Sequence, residues 1–413
     1  MRQDGIYKQR WLAERLRDAV EFSPVVVLSG ARQTGKSTLL RNEDPFKDWH
    51  YTSFDDLDTL LLAEKNPEEL LGISSHMVID EVQKSPDFIH SVKRAVDRDR
   101  SRRIVLSGSA NLLLIKKVSE SLAGRAIYFN LMPFVYGELE GREDNGWFSS
   151  FLNTGDISTP LLEAGGSGVN RDIKRSLFRG FLPPVVFLKK ESHIAMWWQG
   201  YVKTYLERDL RDVSEISHLP DFRRMMGLLA LRTSNILKQS EISRDAGLSQ
   251  ATTGRYINIL EATNLFLKLK PYAGNISKRL IKSPKAFFID SGLAASLAGF
   301  SSVESVPETF MGALLESYVL LNLIVRGSIA GGEVFYFRTQ GGKEKAVDFV
   351  FAKGNKVAAI EVKLSDNISI KDINNMLFLK EISNRFTGGL IIYSGKEIKQ
   401  LTGNIFAVPW NLI

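Results

Sequence analysis

A chain of 413 residues exceeds what one compact core accommodates, so several domains are expected. Its 44% hydrophobic content excludes disorder or a fibrous repeat as a description of the whole, and the absence of cysteine excludes disulfides, zinc ribbons, iron–sulfur clusters and thiol catalysis together. Fifty-four basic against 47 acidic residues leave a net charge of +7, which permits contact with nucleic acid without requiring it.

The first residues are polar with no apolar stretch behind them, so no targeting segment is expected. The longest apolar run, Met311 to Val325, is interrupted by Glu316, Ser317 and Asn322, which argues against a membrane span. A cytoplasmic chain is the expectation. The five histidines, at 50, 76, 90, 193 and 218, lack metal-ligand spacing.

Residues 1–142 read as an open α/β layer. Pro24 to Leu28 is continuously apolar, as strands covered on both faces are, and Met77 to Ile79, Ile104 to Leu106 and Ala126 to Phe129 follow suit. Directly after the first strand comes Gly30-Ala31-Arg32-Gln33-Thr34-Gly35-Lys36-Ser37, with Thr38 continuing into a helix. This Gly-x4-Gly-Lys-Ser spacing cradles phosphates, because its glycines let successive backbone N–H groups turn inward at a helix N-terminus. Lys36 would reach the β and γ phosphates of ATP and Ser37 would ligate Mg²⁺. The second strand ends in Asp80-Glu81, placing one carboxylate for Mg²⁺ and its neighbour as the base that orients the attacking water. At the third strand's end, Ser107 is the candidate sensor of the γ-phosphate, with Ser109 as alternative. Arg125 is the candidate arginine finger, acting across subunits of a homo-oligomer.

Gly, Ser, Thr and Asn dominate residues 141–170, so 143–221 reads as a mobile loop followed by a helical linker. Residues 222–285 show helix, glycine turn at Gly247, a second helix capped by Ser249, and a hairpin. That is the order of a winged helix. Arg255, Lys268, Lys270, Lys278, Arg279, Lys282 and Lys285 would supply its contacts to DNA phosphates. Residues 286–413 return to alternating strands and helices. There Asp348 lies on one strand and Glu361 with Lys363 on the next, the latter two leaving the same face. With Glu316 from a helix, these acids could share Mg²⁺ or Mn²⁺, while Lys363 stabilises charge on the water or phosphate.

Together these segments resemble the prokaryotic AAA-type ATPases fused to a C-terminal domain of unknown function that is nuclease-like. The likeness rests on Ser29 to Ser37, Ile79-Asp-Glu-Val-Gln83, Leu106-Ser-Gly-Ser-Ala110, Leu122-Ala-Gly-Arg125, Leu131-Met-Pro-Phe134 with Glu138, Phe288-Ile-Asp-Ser-Gly-Leu293, and Asp348 with Glu361-Val-Lys363. It implies a P-loop parallel-sheet ATPase, a winged-helix middle and a C-terminal half similar to restriction endonucleases and Holliday-junction resolvases. In that group a helix acid, an aspartate and Glu-x-Lys carry the metal site. Two readings follow: an ATPase acting on DNA, or an ATP-switched signalling or scaffold protein whose nuclease-like site is degenerate and which works through a protein partner.

Overall fold

The computed structural model describes residues 7–109, 121–157, 172–204, 216, 218–272, 283–339 and 344–413. Ala110, Asn111, Lys278, Arg279 and Lys282, along with residues 158–170 of the glycine-rich stretch, lie outside these residues.

The N-terminal strands β1 (Val25–Ser29), β2 (His50–Ser53), β3 (His76–Asp80), β4 (Arg103–Ser107) and β5 (Ala126–Asn130) form one parallel sheet in the order β2-β3-β4-β1-β5. Strand β1 is apolar from Val25 to Leu28 because both of its faces are covered. Val25 and Val27 pack with the helix Phe88–Arg98, and Val26 and Leu28 with the helices Leu12–Phe22 and Lys36–Asn42. β4 stands between β1 and β3, with Leu28 beside Ser107 and Ile79 beside Leu106. The carboxyl ends of the three strands are therefore level, which brings the glycine loop and Asp80-Glu81 to one edge. β2 was not among the expected strands. It is a four-residue edge element, exposed or half-exposed, and carries no apolar run.

At the other end of the chain, β8 (Glu333–Arg338), β9 (Ala346–Lys353), β10 (Lys356–Lys363), β11 (Phe386–Tyr393), β12 (Lys399–Thr402) and β13 (Ile405–Pro409) form a mixed sheet ordered β12-β13-β11-β10-β9-β8. β8, β9 and β10 are antiparallel neighbours, while β10, β11 and β13 run parallel. The 23-residue helix Glu308–Ala330 joins the core that includes Phe349, Ile360 and Val362. The helix Asn374–Ile382 supplies Met376 and Leu379 to a separate core with Val357, Ala359 and Ile391. By length and composition Glu308–Ala330 could cross a membrane, but 67% of its most apolar window is buried inside the protein.

The expected mobile segment begins instead with a helix, Trp147–Thr154, bounded by Gly146 and Gly155 in left-handed conformation. Trp147, Phe148, Phe151 and Leu152 share one helical face and are fully buried. Phe148 stands edge-on to Phe351 at 5.0 Å and Phe151 faces Phe406 at 6.5 Å, so this helix packs on the C-terminal sheet. Composition hid it, because the polar residues around it dominate the average.

Between the two sheets, the helix Leu219–Ala230 is followed by Gln239–Ala246 and Gln250–Ala262, then by the antiparallel pair β6 (Phe266–Leu269) and β7 (Lys285–Phe288). Gly247 adopts φ 66° at the turn, and Ser249 caps the next helix by accepting from the Thr252 N–H at 3.1 Å. Ile236 adds a bridge to Lys285, and Pro271 pairs with Tyr336 of β8. One apolar cluster runs from Ala31 and Met132 through this middle region to Ile413. A division at 285/286 would cut β7 itself.

Candidate functional site

The glycine loop leaves β1 through Gly30, where a Cβ would meet the Leu131 carbonyl oxygen at 2.6 Å, so only glycine fits. Gln33 and Gly35 take left-handed φ of 65° and 97° before the helix opens at Lys36. Alternating hand in this way turns backbone N–H groups toward a common point. The loop runs Gly30, Ala31, Arg32, Gln33, Thr34, Gly35, with Ser37 and Thr38 in the helix's first turn. Lys36 is buried and its ammonium donates to the carbonyl oxygens of Gly30 at 3.1 Å and Ala31 at 3.0 Å. Burial pulls its pKa down to about 8, against the pull of Glu81 and Asp80.

Across the gap, Ser37 Oγ donates to Asp80 Oδ2 at 2.6 Å. Tyr51 on β2 donates to the same oxygen at 2.5 Å. Glu81 has φ 55°, which turns its side chain out of the strand's alternation. Burial, reinforced by Asp80, holds its carboxyl above the usual range, and it accepts from the Gln83 amide. That amide also donates to Ser109 Oγ at 3.0 Å. The γ-phosphate sensor positions thus differ. Ser109 is tied to Glu81 through Gln83, whereas Ser107 is wholly buried within β4 with no partner for its hydroxyl among the described residues. The hydroxyl and carboxylate pair Ser37–Asp80, facing an ammonium and a second acid, is a donor set that fits a magnesium nucleotide.

Two groups the sequence did not reveal hold the loop from behind. Arg10 is buried, donates to Thr34 O at 2.8 Å and Met132 O at 2.6 Å, and pairs with the buried Glu138 at 3.1 Å. Tyr201, from the helical middle region, donates to Arg32 O at 3.3 Å. Neither could be found locally, since they join residues far apart in the chain. Arg125 lies just before β5, level with Val25 and so at the end of the sheet away from the loop, where Asp97 accepts from it at 2.6 Å.

The C-terminal carboxylates do gather, but around a lysine. Lys285 Nζ of β7 lies 3.3 Å from Glu316 Oε2 and 3.7 Å from Asp348 Oδ1. Glu316 also accepts from Ser234 Oγ, and Asp348 Oδ2 from the Val362 N–H at 3.0 Å. Glu361 is buried beside Asp348. Burial and then Asp348 push Glu361 far above the carboxylate range, and burial and Asp348 do likewise for Glu316. Lys363 turns to Asp372 at 3.7 Å. Among the described residues no group of three or more acids or histidines is arranged to hold a metal ion. The arrangement differs from the expected Mg²⁺ or Mn²⁺ cradle of Glu316, Asp348 and Glu361 in placing an ammonium beside the first two. It also corrects the reading of Lys285 as a phosphate contact: its side chain is 15% exposed and faces inward.

Parallel strands in the order β2-β3-β4-β1-β5, a Gly-x4-Gly-Lys-Ser loop and the facing Asp80 define a P-loop ATPase domain. Residues 22–140 match the AAA domain family, residues 170–304 a domain of unknown function (DUF8612), and residues 311–413 another (DUF4143). Uncharacterized proteins of Mycobacterium tuberculosis (Rv2008c) and Mycobacterium bovis (Mb2031c) are 30% identical over 412 residues, covering 98% of this chain and 84% of theirs. The chain belongs to the same family as these mycobacterial proteins. An uncharacterized protein of Haemophilus influenzae is 23% identical over 96% of this chain and 97% of its own. Among solved structures, the Walker-type ATPase of Pyrococcus abyssi aligns with a TM-score of 0.42 at 16% identity, over 72% of this chain and 97% of that one.

Proposed function

We propose that the chain binds ATP with Mg²⁺ and hydrolyses it, and that the reaction sets the relation between the N-terminal domain and the rest of the chain. The observation that carries the reading is the 2.6 Å contact of Ser37 with Asp80, with Glu81 next in line and Lys36 opposite. When bound, Mg²⁺ would neutralise charge on the β and γ phosphates, held by Ser37 and Asp80. Loop N–H groups and Lys36 bind the phosphates. Glu81, steadied by the Gln83 amide, orients the attacking water and takes its proton. Arg10 and Tyr201 hold carbonyls of the same loop, so a change in loop conformation is felt by the N-terminal segment and by the helical middle region.

Helices 239–246 and 250–262 with β6 and β7 have the element order of a winged helix. The C-terminal order of helix, three antiparallel strands, helix and parallel strand is that of a restriction-endonuclease-like core. We read both as those folds serving the switch. Two of the cations expected to meet DNA are paired with acids instead, Lys268 with Glu261 at 2.9 Å and Lys285 with Glu316 at 3.3 Å, which favours this over action on DNA.

The test is hydrolysis by three proteins. Lys36→Ala should lose nucleotide binding, and Glu81→Gln should bind ATP yet turn over about 10²-fold slower or more, as loss of a base requires. A Glu81→Gln variant hydrolysing at the wild-type rate removes Glu81 from its role. Rates measured with single-stranded, duplex and branched DNA should not change; strong stimulation by any of them restores the DNA reading.

A further inference from the structure

The carboxylates of Glu316, Asp348 and Glu361 come from one helix and two strands, and the group that balances them comes from outside that layer. Lys285 is fixed by its backbone before its side chain is considered. β7 pairs with β6, the Leu237 N–H donates to Pro284 O at 2.8 Å, and the Ala286 N–H to Asn235 O at 2.8 Å. Tyr336 OH anchors Ser283 O at 2.5 Å. The ammonium therefore arrives at the acids on a braced strand. Ser234, whose hydroxyl fills another site on Glu316, is itself held in left-handed conformation by its N–H bond to Ala286 O at 2.7 Å.

A cation already stands among these acids. Lys285 Nζ lies within 4 Å of both Glu316 and Asp348, so the ammonium offsets part of their negative charge from inside the cluster. A divalent ion held by Glu316 and Asp348 would stand within a few ångströms of the ammonium, a repulsion that burial magnifies. Glu361 Oε1 is buried with no hydrogen-bond partner, so the cluster keeps an oxygen that a metal could take once the ammonium is gone.

We infer that Lys285 is the resident cation of the Glu316–Asp348–Glu361 cluster, occupying the place of a divalent ion and locking the β6–β7 hairpin to the C-terminal sheet. The cluster takes no Mg²⁺ or Mn²⁺ while the lysine is seated, and a variant lacking it acquires a metal site. This stands independently of ATP hydrolysis.

The experiment is a titration of the full chain, free of nucleotide, with Mn²⁺ read by the electron paramagnetic resonance of the free ion. Wild type and Glu361→Gln should bind identically, with no ion dependent on Glu361. Lys285→Met should gain one bound ion, which Lys285→Met combined with Glu361→Gln loses, and its melting temperature should rise on adding Mn²⁺ while that of wild type does not. Lys285→Gln, which keeps a polar, neutral end on a shorter side chain, serves if Lys285→Met fails to fold. A Mn²⁺ ion on wild type that Glu361→Gln removes overturns the inference, and this comparison needs no lysine variant. A folded Lys285 variant that gains no ion overturns it equally.

Discussion

Arg10 and Thr34 are joined by a buried hydrogen bond of 2.8 Å, guanidinium to carbonyl, that ties the segment before the first helix to the middle of the phosphate loop. The same guanidinium reaches Met132 O and stacks over the Phe134 ring at 4.4 Å, and Glu138 balances its charge while accepting the N–H groups of Trp11 and Val135. One arginine thus sets the loop against the strand that follows β5.

Arg10→Lys keeps the charge and loses the fork, so it separates loop positioning from burial of an unpaired Glu138. Its ATP affinity should fall by about 10-fold, roughly 1.4 kcal/mol, with kcat at saturating ATP little changed. Calorimetric titration with a non-hydrolysable nucleotide measures the affinity directly. Wild-type affinity in this variant would mean the loop holds its shape without the arginine.

Tyr51 shares Asp80 Oδ2 with Ser37 and so orients the carboxylate from the side away from the loop. Groups that orient a metal-holding carboxylate contribute about 10- to 100-fold to metal affinity. Tyr51→Phe should raise the Mg²⁺ concentration for half-maximal hydrolysis by at least about 10-fold. Hydrolysis rates across a Mg²⁺ series decide it; an unchanged midpoint would leave Tyr51 a packing residue only.

Asp290 is fully buried and accepts from the N–H groups of Phe181 at 2.8 Å, Gly292 at 2.8 Å and Leu293 at 3.3 Å. It thereby links the Phe288–Leu293 segment to the loop whose Phe181 O receives the Phe134 N–H of the ATPase domain. Burial pushes its carboxyl from 3.8 to about 6. Between those values the folded protein holds a proton that the unfolded chain has released, so this contribution is complete at low pH and is lost as pH rises through about 6. Asp290→Asn does not titrate. The wild type should therefore lose up to ~3 kcal/mol relative to it between about pH 4 and pH 7. Urea unfolding of both proteins at the two pH values gives the difference, and a change of opposite sign would contradict the assignment.

Phe151 is fully buried against Phe406 and the backbone of Gly388, where an added Cβ would meet its ring at 2.9 Å. Phe151→Ala should cost ~3–5 kcal/mol of stability, the range for emptying an aromatic core position. Chemical denaturation followed by tryptophan fluorescence reads this through the adjacent Trp147. A cost below about 1 kcal/mol would return the segment to the status of a linker.

The phosphate site was legible because its parts are local. Strand, glycine loop and helix are contiguous from Val25 to Asn42, and Asp80-Glu81 ends a strand whose apolar character is plain. β2 was not legible, since a four-residue half-exposed edge strand has neither a continuous apolar run nor strict alternation, and Tyr51 was missed with it. The helix Trp147–Thr154 was lost among glycines and asparagines for want of any partner visible in its neighbourhood.

The sequence by itself determined the P-loop class of the N-terminal domain, the glycine loop between its first strand and helix, and the placing of Asp348 and Glu361 on adjoining strands, all consequences of spacing within a few residues. Tertiary structure decided what those residues meet. The chain order shows Lys285 only as one of several lysines around a hairpin, and a lysine there is ordinarily solvated. It becomes the counter-charge of Glu316 and Asp348 because β7 is pinned by β6 and Ile236 beside a sheet that begins some fifty residues later. Arg10 likewise acquires its role across 24 residues to Thr34 and 122 to Met132. Buried charge is satisfied by whatever partner the packing delivers, and sequence spacing carries no record of that partner.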